Sequence, residues 1–378
     1  MSWQELNKMD LRKEFVLLAL SNNNISALCL KFNISRKTGY KWLKRYHEFG
    51  LEGLYDKAKS PHSSPKKTDP KIEQIILEVK RKYLAWGGRK IRAYLINQGM
   101  LESSLPSCFT VSKILKRNGY IHPFSERAKR EYIRFEHDSP NRLWQMDYKG
   151  DFKMERERCY PLTILDDHSR YNICLKACSN QQRLTVQEEL INKFKRYGLP
   201  ERINVDNGNP WGNSIKGVKY TQLSVWLMDL GVAVSYSRPR HPQTNGKLER
   251  FHRTLKEELL KSSYIRDISH AQCLFDEWRD FYNSVRPHES LDNRSPIDSY
   301  SPSYREYSDK IRDYEYGSDY GVKNVISGGR IYIRGQDYRI GEAFIGKKVA
   351  IKEESEGKIE VYYKRNKIKT IALRSNVK

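Results

Sequence analysis

The chain has 378 residues, with 69 Lys and Arg against 46 Asp and Glu, and its formal charge of +23 is uneven: residues 1–134 carry net +15, residues 135–300 +2 and residues 301–378 +6. Apolar runs such as Phe15 to Leu20 are too short to cross a bilayer. No secretory core with a cleavage site opens the chain, and the six scattered cysteines lack the Cys/His spacing of a zinc site. What remains is a cytoplasmic, thiol-reduced protein of two to four domains whose front third binds a polyanion, although a merely soluble Lys-rich protein would carry the same net charge.

Residues 11–20 read as a helix, and Ile25 to Phe32 as a short second one after a polar break. Asn33-Ile34-Ser35 makes a tight turn with Ser35 placed as an N-cap. The third segment, Arg36 to His47, turns Trp42 and Tyr46 inward and leaves Arg36, Lys37, Tyr40, Lys41 and Lys44 on the other side. Three short helices with a basic third fit a helix-turn-helix module over residues 1–54; a helical bundle with a solvated basic face has the same pattern. Residues 55–69, rich in Lys, Ser and Pro, read as a flexible basic linker. Three more helical segments follow, Ile72 to Lys82, Gly88 to Asn97 and Thr110 to Asn118, giving a second helix-turn-helix-like module over 70–122. Arg89, Lys90 and Arg92 lie on one element and Lys113, Lys116 and Arg117 on another. Two such modules on a tether would read a bipartite DNA site through effective concentration. Residues 123–140 form another basic linker.

From Asn141 the texture changes. Leu143 to Phe152 alternates as a strand, Cys159 to Leu165 returns as a second and Tyr171 to Ala177 makes a third. A helix over Leu184 to Tyr197 ends at Gly198. Arg202 to Val205 is a short buried strand that delivers Asp206-Asn-Gly, Tyr220 to Leu230 is helical, and Val232 to Tyr236 is a fifth strand. Hairpin-linked strands followed by alternating helix and strand predict an α/β mixed sheet with helices on its faces over residues 141–300.

The loop Ser237-Arg-Pro-Arg-His-Pro-Gln-Thr-Asn-Gly then leads into an amphipathic helix. Leu248, Phe251, Leu255 and Leu259 form its apolar stripe, while Glu249, Arg253 and Lys256 share a polar face. A further helix, Ala271 to Tyr282, precedes Val285-Arg-Pro-His288. Beyond a Ser-Pro-rich exit, five short alternating strands from Ile331 to Ile371 predict a small all-β, barrel-like domain over 301–378.

Three acids stand out. Asp147 lies mid-strand among apolar neighbours, where a charge is costly to bury alone. Asp206 ends a strand, and Glu249 opens a helix. Carboxylates brought to one edge repel one another and favour bound cations, and oxygen-only ligands suit Mg²⁺ or Mn²⁺. Two such ions would serve an in-line displacement at phosphorus. Three unrelated acids would show the same spacing, with Glu249 in an i,i+4 pair with Arg253. Asp151, four residues along the strand, falls about 13 Å from Asp147. Asp166 and Asp167 are expected to shape a turn and pair with Arg170, and His241 and His252 to meet phosphate or backbone rather than shuttle protons.

Taken together, Trp144-Gln-Met-Asp147, Asp166-Asp-His-Ser-Arg170, Val205-Asp206-Asn-Gly, Gln243-Thr-Asn-Gly-Lys-Leu-Glu249, Tyr282-Asn-Ser-Val-Arg-Pro-His288 and the front stretch Ile34 to Leu43 resemble the signature of retroviral-type integrases and bacterial insertion-sequence transposases. That resemblance spans most of residues 1–300. It implies a ribonuclease-H-like core with Asp147, Asp206 and Glu249 as catalytic, metal-holding triad and the use of two Mg²⁺ or Mn²⁺ ions. Double-stranded DNA is the implied partner, both element ends and target, held by a homodimer or larger synaptic assembly in a bacterial cytoplasm. The backbone at Asn207 and Gly208 would approach the scissile phosphate, and Arg238, Arg240, Lys247, Arg250, Arg253 and Lys256 would hold DNA. The zinc module of the retroviral enzymes is missing, and the 43-residue step from Asp206 to Glu249 is longer than theirs; both point to the transposase branch. A DNA-binding regulator that keeps the modules without catalysis, and a metal-dependent nuclease without joining, are the rival functions.

Overall fold

The computed structural model describes residues 8–21, 24–56, 67–121, 136–212, 220–237, 246–311, 313–354 and 357–372. The chain divides into two compact units, residues 1–67 and 68–378. In the first, α1 (Lys8–Ser21), α2 (Ile25–Lys31) and α3 (Arg36–Phe49) enclose Phe15, Val16, Leu28, Cys29, Trp42, Leu43 and Leu54. Ser35 caps α3 by accepting from the Thr38 N–H at 3.2 Å. Gly39 is where α3 crosses its neighbours: a Cβ there would lie 2.6 Å from Cys29 Sγ and 2.9 Å from the Phe15 ring. The absent side chain is thus what lets the third helix seat.

In the second unit, α4 (Pro70–Lys82), α5 (Gly88–Asn97) and α6 (Cys108–Arg117) pack around Ile76, Ile91, Leu95, Val111, Ile114 and Leu115. The central sheet contains β1 (Leu143–Tyr148), β2 (Phe152–Lys153), β3 (Arg158–Asp166), β4 (Asn172–Cys178), β5 (Arg202–Val205) and β6 (Ala233–Tyr236). β3 pairs antiparallel with β1, β2 and β4; β5 lies parallel between β1 and β6. The expected strand from Leu143 to Phe152 is therefore two, broken at Gly150, whose φ of 86° favours glycine.

Strand alternation splits the sheet into two apolar faces. Trp144, Met146 and Ile164 pack beneath α7 (Arg183–Tyr197) and α8 (Gln222–Asp229). Leu165 and Leu175 face α9 (Gly246–Leu255) and α10 (Ile268–Ser284), where Leu248, Phe251, Leu255 and Leu259 take up the stripe read from the sequence. Gln145 and Asp147, out of phase with Trp144 and Met146, fall on the α9 side.

The carboxyl-terminal strands number six among the described residues: β7 (Gly321–Asn324), β8 (Arg330–Ile333), β9 (Gln336–Arg339), β10 (Lys348–Glu354), β11 (Lys358–Tyr363) and β12 (Asn366–Ala372). They form a four-stranded antiparallel sheet, β12-β11-β10-β7, and a separate β8-β9 hairpin. The expected barrel is thus two antiparallel pieces around one core, which also takes in Val225 and Met228 of α8. Asp229 at the end of α8 binds Lys347 Nζ at 2.7 Å and the Tyr363 hydroxyl, fixing these strands to the core.

Candidate active site

Asp147 lies on β1, opposite Thr163 of β3. Asp206 follows β5, the strand parallel to β1, and Glu249 stands in the first turn of α9. Burial pushes the Asp147 carboxyl up to about 7, and repulsion from Asp206 and Glu249 adds to the rise, while the Tyr148 N–H opposes it. Burial also raises Asp206, against the Gly208 N–H that donates to its Oδ1 at 3.0 Å. Asp147 thus feels the charge of two acids distant from it in sequence. Among the described residues, no ion pair joins Glu249 to Arg253. Nor do three or more His, Cys, Asp or Glu side chains converge as a ready-made metal cage.

The aim of these groups is built from Gln145, which the sequence did not single out, and from Asp167 and Lys247 in roles it did not assign. Gln145 Oε1 accepts from the Leu248 N–H at 3.2 Å, and its Nε2 donates to Asp167 Oδ1 at 2.9 Å. Lys247 Nζ donates to Asp167 Oδ2 at 2.6 Å and to the Asp167 carbonyl at 3.0 Å. The side chain of Asp167 is 1 % exposed, so this joint ties the start of α9 to β1 in a medium where charge-assisted bonds are strong. The available signal was periodicity: in Trp-Gln-Met-Asp, Gln145 shares a strand face with Asp147. Below them, Thr163 Oγ1 donates to the Asp147 carbonyl at 2.8 Å and meets His252 Nε2 at 2.7 Å.

Several expectations change. Asp166 does shape its turn, accepting from the Ser169 N–H and hydroxyl at 2.8 and 2.6 Å, but Arg170 pairs with Glu136 at 3.3 Å rather than with either aspartate. His252 meets Thr163 under β1, and burial, with Lys149 nearby, lowers its pKa to about 3. Gly208 serves the carboxylate beside it, since a Cβ there would come 3.1 Å from Asp206 Oδ2. Asn207, just after β5, donates to the carbonyl of Ser237, just after β6, at 2.7 Å. Asp151 is engaged by Arg158 across the β2–β3 turn.

Family comparisons assign the same regions. The description "Integrase core domain" matches residues 137–242 in one family model and 230–296 in another. A helix-turn-helix domain matches 11–62, a homeodomain-like domain 38–115, and the C-terminal domain of IS481 family transposases 321–377. Integrase-core, helix-turn-helix and transposase C-terminal family models thus match successive stretches of this chain. It is 26 % identical over 307 residues to the transposase of transposon Tn552 from Staphylococcus aureus, covering 74 % of this chain and 61 % of that one. It is 24 % identical over 264 residues to a putative transposase of insertion sequence IS5376 from Geobacillus stearothermophilus, covering 66 % and 63 %. The chain thus spans about six-tenths of the length of these relatives. The HTLV-2 integrase catalytic core, in a structure with magnesium, aligns at 14 % identity and a TM-score of 0.33, over 43 % of this chain and 97 % of that core.

The basic residues named from the sequence divide. Arg250, Arg253 and Lys256 are exposed along α9, and Arg36, Lys37, Tyr40, Lys41 and Lys44 are exposed on α3. Lys247 is an internal tie to Asp167, so its ammonium is committed within the protein. Arg89 pairs with Glu289, and Lys90 lies 3.9 Å from Glu258, its pKa lowered to about 8 by burial and by Arg286. Both join the α4–α6 module to the core, which corrects the picture of that module as hanging on a tether. Arg238, Arg240 and His241 lie outside the described residues. No helix among the described residues is long and apolar enough to cross a membrane.

Proposed function

We propose that the protein is a DNA transposase that cleaves and joins strands at the ends of its element, with Asp147, Asp206 and Glu249 as the catalytic carboxylates. What supports this reading is that Asp147 on β1, Asp206 just after the parallel β5 and Glu249 in the first turn of α9 come from three elements, with both other acids close enough to add to the rise that burial gives the Asp147 carboxyl. A binding protein gains nothing from such an arrangement, because each unneutralised acid costs folding free energy. The donor set fits a hard divalent cation: it is all oxygen, anionic and on three separate elements. The three carboxylates would hold Mg²⁺ or Mn²⁺, two ions per site. Bound there, such ions supply Lewis-acid stabilisation to the attacking and leaving oxygens of a displacement at phosphorus.

The chain's own residues do the rest. Gln145, Asp167 and Lys247 hold the first turn of α9 against β1 and so direct Glu249. Gly208 leaves room beside Asp206 and gives its N–H to that carboxylate. Arg250, Arg253 and Lys256 bind the phosphodiester backbone, and α3 enters the major groove of the element end with Arg36, Lys37, Tyr40, Lys41 and Lys44. In the first reaction water attacks phosphorus and frees a 3′-hydroxyl. In the second that hydroxyl attacks a target phosphodiester, forming one P–O bond as another breaks. Joining two ends calls for a dimer or larger assembly on DNA.

Incubating the protein with labelled duplexes carrying its element's ends and Mg²⁺ tests the reading. Cleaved and joined products that vanish in Asp147→Asn and Glu249→Gln are expected. Binding without cleavage identifies a regulator, and cleavage without joining a nuclease.

A further inference from the structure

The stretch Tyr282-Asn-Ser-Val-Arg-Pro-His288 has no part in the chemistry proposed above, yet its side chains are built into the core. Asn283 exchanges two hydrogen bonds with the backbone of Asn172, at 2.8 and 3.0 Å, locking α10 to β4. Tyr282 meets Phe251 of α9 edge-on at 5.0 Å. Arg286 grips Glu258, with Nε 3.0 Å from each carboxylate oxygen and a terminal nitrogen at 2.9 Å.

Glu258 belongs to a π-helical turn, Lys256–Leu260, that continues α9. A π turn inserts an extra residue into a helix and recurs at functional sites. Here Glu258 faces the α4–α6 module: it accepts from Trp86 Nε1 at 3.2 Å and lies 3.9 Å from Lys90 Nζ. Trp86 in turn stacks on Tyr83 at 4.1 Å, and Tyr83 on Phe281 of α10 at 5.0 Å. One carboxylate, 10 % exposed, is therefore shared by the core, the module and the helix that carries Glu249. Removing it would strand the buried Arg286 on the core side and take the neighbouring charge from the half-buried Lys90 on the module side. Glu249 and Glu258 are separated by about 14 Å of continuous helix. That helix is pinned at its start by Lys247 on Asp167 and at its end by Glu258.

We propose that Glu258 is a positioning residue, coupling the α4–α6 module to the rotation of α9 and so to the aim of Glu249. The coupling gives DNA on the module a route to the catalytic carboxylates, and in that respect it rests on the function proposed above. By linkage, the carboxylates' cation affinity and the state of the module then depend on each other through this joint.

Two variants of the full chain test it. Glu258→Gln keeps shape and one acceptor while losing the charge; Trp86→Phe keeps a stacked ring while losing the donor. Hydrogen exchange is followed in the amides of residues 247–255, and Mn²⁺ binding by electron paramagnetic resonance. Both variants are expected to exchange faster in α9, with α7 unchanged, and to bind Mn²⁺ about fivefold more weakly or worse, the lower end of ordinary coupling between sites. Wild-type exchange in α9 with loosening confined to α4–α6 overturns the proposal, as does unchanged Mn²⁺ affinity with faster α9 exchange. If the wild-type chain binds no Mn²⁺ in a Glu249-dependent way, the carboxylate reading fails, and the exchange in α9 still decides whether Glu258 positions that helix.

Discussion

Replacing Asp147 by Asn should stabilise the protein at neutral and alkaline pH while abolishing its chemistry. The carboxyl rises from 3.8 to about 7 on folding, so ionising it costs more in the folded chain than in the unfolded one. The sign follows: its contribution favours the fold below about pH 4 and is withdrawn as the pH climbs through about 7. A rise of about three units corresponds to about 4 kcal/mol at 1.4 kcal/mol per unit. Water reaching this part-exposed group screens the charge, and halving the figure leaves about 2 kcal/mol. At about 2.1 cal/mol/K of unfolding entropy per residue, that is about 3 °C in melting temperature for the unit of residues 68–378. Thermal melts of wild type and Asp147→Asn in chelator at pH 5 and pH 8 measure it. The advantage at pH 5 should be about a third of that at pH 8, because at pH 5 the titration has run over only the first part of the interval. Added Mg²⁺ should raise the melting point of wild type more than that of the variant. An equal gain at both pH values would mean that packing, not charge, was altered. A loss at pH 8 would refute the reasoning outright.

The neutral His252 makes the opposite prediction. Its folded pKa of about 3 lies below the unfolded value, so its contribution is present above about pH 6.5 and is lost as the pH falls toward 3; its ring resonances should not titrate between pH 8 and 5, and a shift there would show that Nε2 is not held on Thr163. Asp167→Ala leaves Lys247 buried without its counter-charge and should cost about 3 kcal/mol or more, read by chemical denaturation; a change under 1 kcal/mol would mean that Lys247 finds water. Lys37→Ala or Lys41→Ala on α3 should lower the salt dependence of DNA binding by about one unit of slope each, whereas Lys247→Met should leave it alone. A slope reduced by Lys247→Met and untouched by the α3 variants would reverse the division of the basic residues.

What the sequence determined by itself was local. Ser35 and Gly198 mark helix ends because capping and a glycine's positive φ depend on neighbouring residues alone. The stripe of Leu248, Phe251, Leu255 and Leu259 and the strand Arg202 to Val205 follow from the two backbone periods. The resemblance of its motifs to those of a known family, not their spacing, singled out the three acids. The tertiary structure decided what each polar side chain faces, which depends on partners far along the chain. Lys247 looks like any exposed cation until Asp167 is brought beside it, and Lys90 until Glu258 is. His252 reads as a site histidine until β3 covers it. The pull between Arg170 and its aspartates is settled by Glu136, from another segment. The helix that opens with Glu249 was legible from period and turn chemistry. Its aim was not, because Gln145, Asp167 and Glu258 reach it from β1, the turn after β3 and the π turn beyond α9, and only folding brings those contacts together.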